Sequence, residues 1–121
     1  MKIIVGIFSS IIIGLMLLVI MPYLNDYLQS TKFDSEKWIL SQKETESNEQ
    51  LRWSMRRDLL KNYHLKEKSK EEIFKLLGKL TNEFGNKIYY NLGPATIGIN
   101  MGTLEIEFQN NKVKIYRIFS G

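Results

Sequence analysis

A chain of 121 residues with 44% hydrophobic and 25% charged residues is ordinary for one small globular domain, although its apolar share is concentrated at the front. Cysteine is absent and histidine occurs once, which excludes a lipidated cysteine, disulfide staples and a Cys/His metal site. The formal net charge of +4 is a mild basic balance compatible with an anionic surface as partner.

The stretch IIVGIFSSIIIGLMLLVIM, Ile3 to Met21, contains neither charge nor proline. Its roughly nineteen residues, at about 1.5 Å each, nearly match a hydrocarbon core of about 30 Å. A cleaved secretory signal has a shorter apolar core and small residues at its cleavage site, whereas VIMPYLND offers large ones. The expectation is an uncleaved single-pass anchor over residues 1–21, in the cell membrane. Lys2 is the only charged side chain before the span, so the N-terminus is placed inside and the bulk of the chain outside the cytoplasm.

Residues 22–46 read as an interfacial segment and linker. In PYLNDYLQS, Tyr23 and Tyr27 recur at i and i+4, which allows a short helical extension with aromatics at headgroup level. Phe33, Trp38, Ile39 and Leu40 are expected to dock on the domain as a satellite contact. SQKETESNEQ, Ser41 to Gln50, has no apolar side chain to bury, and its first half reads as linker.

Residues 47–121 form the predicted domain. Ser47 and Gln50 make a Ser-x-x-Gln box, and Leu51, Met55, Leu59 and Tyr63, widened by Leu60, form an apolar stripe. In LKEKSKEEIFKLLGKL, Ser69 and Glu72 form a second box, and Ile73, Leu76, Leu77 and Leu80 fall at i, i+3, i+4 and i+7. Gly78 is placed where that helix can stop in a left-handed turn.

Three strands are expected next: Asn86 to Leu92, Thr103 to Gln109 and Lys112 to Phe119. The last two are joined through Asn110-Asn111, a pair that tolerates the positive φ of a two-residue hairpin turn. Strict pairing sets Phe108 opposite Val113, Glu107 opposite Lys114 and Ile106 opposite Ile115. The architecture that follows is α+β: an N-terminal transmembrane helix, then two helices packed on one face of a three-stranded antiparallel sheet, in the order α-α-β-β-β.

DLLKNYHLKEKSKEEIFKLLG, NKIYYNLG and LEIEFQNNKVKIYRI together resemble the SmpA/OmlA (BamE-like) family and related small extracytoplasmic proteins of the β-lactamase-inhibitor-protein-like fold. The likeness covers about Arg52 to Phe119 and rests on Leu65, the Ser69 cap, Ile73, Leu77-Gly78, a Tyr-bearing strand and a final hairpin. Two departures stand out: Glu67 replaces a glycine usual in the family, and its lipidated cysteine is missing. The resemblance implies a small binding module, scaffold or inhibitor.

Residues that could carry chemistry fit poorly. His64 has no second histidine to complete a metal site. Glu105 and Glu107, two apart on one strand, imitate a glycosidase carboxylate pair but are expected to face Lys114 and Tyr116 as ordinary cross-strand partners. GPATIGINMG imitates phosphate-loop glycines, yet Ile99 and Asn100 stand where Lys-Ser or Lys-Thr should follow Gly98. No enzyme activity, cofactor, metal, nucleic acid or small-molecule substrate is therefore expected.

What remains is binding, with the membrane through the N-terminal helix and an envelope protein as partners. Strand alternation turns Tyr89, Asn91, Glu105, Glu107, Lys114, Tyr116 and Ile118 away from the helices, as a partner-binding face with Tyr89 and Tyr116 as anchors and the loop from Pro94 to Met101 as rim. The alternative is an electrostatic binder of an anionic membrane surface or acidic envelope polymer through a basic helical face of Arg52, Arg56, Arg57, Lys61, Lys70 and Lys75. A lysine field weakens steeply with salt, and an aromatic contact does not.

Overall fold

The computed structural model describes residues 2–41, 51–95 and 101–120. Helix α1, Lys2–Leu28, runs for 27 residues with its apolar side chains uncovered, and it is long and apolar enough to cross a bilayer. Pro22 lies inside it and removes one backbone donor, yet the helix continues, so Tyr23 and Tyr27 are helical as the spacing suggested. The Ser10 hydroxyl donates back to the Gly6 carbonyl at 3.0 Å, which satisfies it without leaving the apolar surface.

Helix α2, Ser35–Leu40, begins where the Asp34 carboxylate accepts from the Lys37 amide. It delivers Trp38 to complete burial, and Phe33, just before it, packs on the Trp38 and Tyr63 rings. These two aromatics are part of the central core, which corrects the expected satellite contact; only Leu40 stays exposed. The Ser47–Gln50 box lies outside the described residues.

Helix α3 spans Leu51–Asn62 and buries Met55 and Leu59, while Leu51, Leu60 and Tyr63 pack around them. Helix α4, Lys70–Leu77, starts at the capping box: Ser69 Oγ accepts from the Glu72 amide at 3.2 Å, and the Ser69 amide donates to Glu72 Oε1 at 3.3 Å. It stops at Gly78, where φ is 75° and a Cβ would meet Ile39 Cγ1 at 2.9 Å, so α2 closes over the glycine. Glu67 adopts φ 69°, a conformation that favours glycine. Its amide donates to the Val113 carbonyl at 3.0 Å, so a glycine-like backbone is kept by a residue that strains to hold it.

The sheet has four antiparallel strands, not three, in the order β1-β2-β3-β4. The added strand β1, Asn82–Phe84, turns through Gly85 and Asn86 into β2, Lys87–Pro94. Three exposed residues give no alternating pattern to read, and for that reason β1 is invisible in the sequence. Strands β3, Met101–Gln109, and β4, Lys112–Ser120, meet at Asn110 and Asn111, whose φ values of 53° and 62° are those of the expected hairpin turn.

One residue decides which side chains face the helices. Phe108 pairs with Val113, but Glu107 pairs with Ile115, so Lys114 bulges without a partner. Every later position on β4 changes face: Tyr116 opposes Ile106 and Ile118 opposes Leu104, both half-buried against the core, while Ile115 opposes Glu107 and Arg117 opposes Glu105 on the other face. The strict pairings Ile106 with Ile115 and Glu107 with Lys114 are thereby corrected.

Ile88, Tyr90, Leu92, Leu104, Ile106, Phe108 and Val113 form the sheet's contribution to a core closed by α2, α3 and α4. Tyr90 is fully buried, and its hydroxyl donates to the Gly78 carbonyl at 2.9 Å. Leu77→Ala, at a position with no solvent exposure, is expected to lower stability by about 2–5 kcal/mol. Lys75→Ala, on the exposed side of the same helix, should leave the denaturation midpoint nearly unchanged; equal losses from the two would contradict helix-on-sheet packing.

Candidate functional site

Two parts of the molecule gather polar groups into defined geometry. The first lies where α1 meets α3. Asp26, one turn from the end of α1, is only 2% exposed, an unusual state for a carboxylate. Its Oδ1 accepts from Trp53 Nε1 at 2.9 Å, and its Oδ2 accepts from Arg56 at 2.5 Å and from Arg57 at 2.7 Å. The Arg56 guanidinium also lies 3.6 Å from the centroid of the Trp53 ring, and the indole sits against Gly102 of β3. A Cβ at Gly102 would come within 2.5 Å of Trp53, so only glycine admits the indole.

This joint changes the meaning of the basic helical stripe. Arg52 and Arg56 are buried and therefore cannot belong to a solvated cationic face, which corrects the expectation for both. Arg52 donates to the Trp38 carbonyl at 3.1 and 2.9 Å, to Ser41 Oγ at 2.8 Å and to the Asn91 carbonyl at 3.3 Å, tying α2, α3 and β2 together. Burial pulls its guanidinium down to about 10, which still leaves it charged at neutral pH. Arg57, Lys61 and Lys75 remain exposed, and Lys70 pairs with Glu83 at 2.9 Å.

The second part is the sheet face turned away from the helices. Tyr89, Asn91, Glu105 and Glu107 sit on it as the alternation predicted, and Lys114 is exposed at the bulge. Tyr116 and Ile118 do not: the bulge turns them toward the core and puts Ile115, Arg117 and Phe119 in their place. Ile115, Phe119 and Phe84 of β1 are exposed, the last to 78%. Residues 96–100, which make up most of the expected rim, lie outside the described residues.

At the centre of this face Glu105 is buried beneath its neighbours. Tyr89 Oη donates to its Oε1 at 3.0 Å, Arg117 Nε donates to its Oε2, and Lys87 Nζ stands 3.8 Å from Oε1 and 4.0 Å from Glu107. The Arg117 hydrogen bond holds the Glu105 carboxyl below its ordinary range against the opposing effect of burial, with Tyr89 adding to it. Burial and the same carboxylate push the Tyr89 phenol up. These carboxylates are thus engaged by cross-strand partners, Arg117 and Lys87 rather than the expected Lys114 and Tyr116, and they leave no free acid–base pair. Among the described residues no three His, Asp or Glu side chains come together as a metal cluster. His64 stands exposed at the end of α3.

Sequence reasoning passed over Asp26, and for Arg117 it left an inward placement by strict pairing, with a bulge near Tyr116 as the alternative that would exchange the faces beyond it. For Asp26 the available signal was a single acid in the last turn of an apolar helix, since an ionisable group there needs a partner. Arg117 was signalled by its own misfit, because a strict register turned it into the core.

Asp26→Ala is expected to cost about 3–5 kcal/mol, because it leaves Arg56 without its anion in a buried setting, and Trp53 fluorescence should report a loosened joint. Glu105 gives a pH signature. A carboxyl held below its ordinary 4.5 contributes stability that is present above that value and is lost as pH falls through it and lower. Between about pH 5 and about pH 3 the wild type should therefore lose more stability than Glu105→Gln, as read by chemical denaturation at each pH; parallel losses would remove the carboxylate from the account.

Compared with family models, with curated proteins and with solved structures, the chain finds no match.

Proposed function

We propose that this protein is a membrane-tethered, non-catalytic interaction or scaffold module of the bacterial cell envelope, with α1 as an uncleaved single-pass anchor and the folded part outside the cytoplasm. The observation that carries the proposal is the open sheet face, where Phe84, Ile115 and Phe119 stand exposed around the Glu105 cluster. Exposed aromatics beside satisfied charges are the makeup of a protein contact surface. The likeness to the SmpA/OmlA group, whose members bind proteins, points the same way. The Asp26 joint ties the last turn of α1 to the folded part through Trp53, Arg56 and Arg57.

The electrostatic alternative loses two of its six cations to burial, Arg52 and Arg56, and Lys70 is already paired. A broad basic helical face is therefore the weaker reading.

The test is proximity crosslinking in intact cells with a membrane-impermeant reagent, comparing wild type with a Phe84→Ala, Phe119→Ala variant whose thermal melt is unchanged. The variant should lose the principal protein captured by the wild type. An undiminished partner set on an intact fold removes this face, and capture only by a permeant reagent reverses the orientation.

A further inference from the structure

Between the end of α1 and the solvent side of α3 lies a cleft of about 240 Å³. One wall is the end of α1 and the segment after it, with Tyr27, Thr31 and Lys32; the other is α3, with Arg57, Asp58 and Lys61. Both walls are fixed. The Thr31 amide donates to the Ser54 carbonyl at 2.9 Å, the Thr31 and Ser54 hydroxyls are 3.1 Å apart, and the Phe33 amide donates to Asp58 Oδ2 at 2.7 Å. Arg57 reaches across from α3 to Asp26 and lies 5.8 Å from the Tyr27 ring centroid.

The charges in the cleft do not balance. Lys32, Arg57 and Lys61 give three positive charges against one on Asp58, an excess of two. Asp58 is already occupied, its Oδ2 by Phe33 and its Oδ1 by Asn62 at 2.6 Å. Lys32 and Lys61 feel its field, yet neither forms an ion pair among the described residues.

Position supplies the ligand. If the hydrocarbon core is filled by roughly the first 20 residues of the apolar run, Tyr27 stands about 7 Å beyond it, in the headgroup layer. A cationic cleft at that depth faces lipid phosphates.

We propose that the cleft between Tyr27, Lys32, Arg57 and Lys61 is a binding site for the headgroup of an anionic membrane phospholipid. The phosphate is held between the two lysines and the exposed part of the Arg57 guanidinium. A zwitterionic lipid is disfavoured, because its ammonium would meet the same cations. The site rests on α1 spanning the bilayer and is independent of the sheet face.

The experiment uses the full chain in nanodiscs of mixed phosphatidylcholine and phosphatidylglycerol, with lipid retained after transfer to detergent counted by native mass spectrometry. Phosphatidylglycerol should be enriched over phosphatidylcholine, and Lys32→Ala with Lys61→Ala should reduce that enrichment by about fivefold per lysine removed. Lys70→Ala with Lys75→Ala makes the same change in net charge away from the cleft and should leave it intact. Equal reduction by both pairs, or no enrichment at all, overturns the site. Displacement of the lipid by inorganic phosphate, at ionic strength matched with chloride, overturns the assignment to a lipid. A chain that does not enter nanodiscs overturns the membrane span as well, whereas one that enters without lipid preference overturns only the site.

Discussion

The carboxylate of Asp26 is the constraint from which the arrangement of the other parts follows. A charged group at the end of an apolar helix cannot be buried alone, and here it is matched by three donors that all come from one turn of α3. That fixes α1 against α3. Trp53 extends the linkage, since its indole N–H is held by Asp26 while its ring presses into the space left by Gly102 on β3. Helix α1, helix α3 and the sheet are thus joined through one carboxylate, one indole and one missing side chain.

Arginine does complementary work in the first turn of α3. Arg52 spends its donors on backbone carbonyls of α2 and β2 and on Ser41, and its guanidinium lies 5.0 Å from the Trp38 ring centroid. Two members of a stripe that reads in the sequence as a solvated basic face, Arg52 and Arg56, are in fact internal fasteners. Arginine suits this role because its planar fork can satisfy several carbonyls at once while remaining charged. The core is small, so this cross-linking of short elements contributes order that apolar area alone supplies sparingly.

Local chemistry was legible in the sequence, and long-range placement was not. The Ser69–Glu72 box, the stop at Gly78 and the Asn110-Asn111 turn each depend on residues within a few positions, and each is found where it was expected. The α+β layering also followed from periodicity. What escaped were features fixed by distant contacts: the burial of Arg52 and Arg56, the entry of Trp38 into the core and the three-residue strand β1. The bulge at Lys114 did most damage to the candidate site. A period-of-two argument is correct only until one residue is inserted, and then it inverts, which exchanged Tyr116 and Ile118 for Ile115, Arg117 and Phe119.

That same bulge bears on how the protein avoids sticking to itself. Strand β4 is the last of the sheet, and the segment Glu67 to Ser69 covers its outer edge at Lys112 and Val113. Beyond that point the seven residues from Lys114 to Ser120 would offer an open template to another chain, were it not interrupted at once. Lys114 breaks the regular spacing of amides next to the covered stretch, and Lys112, Lys114 and Arg117 place positive charge along it. Two such edges approaching each other meet like charges and mismatched spacing. An irregular, charged strand edge is thereby a poor template for a second copy of the chain.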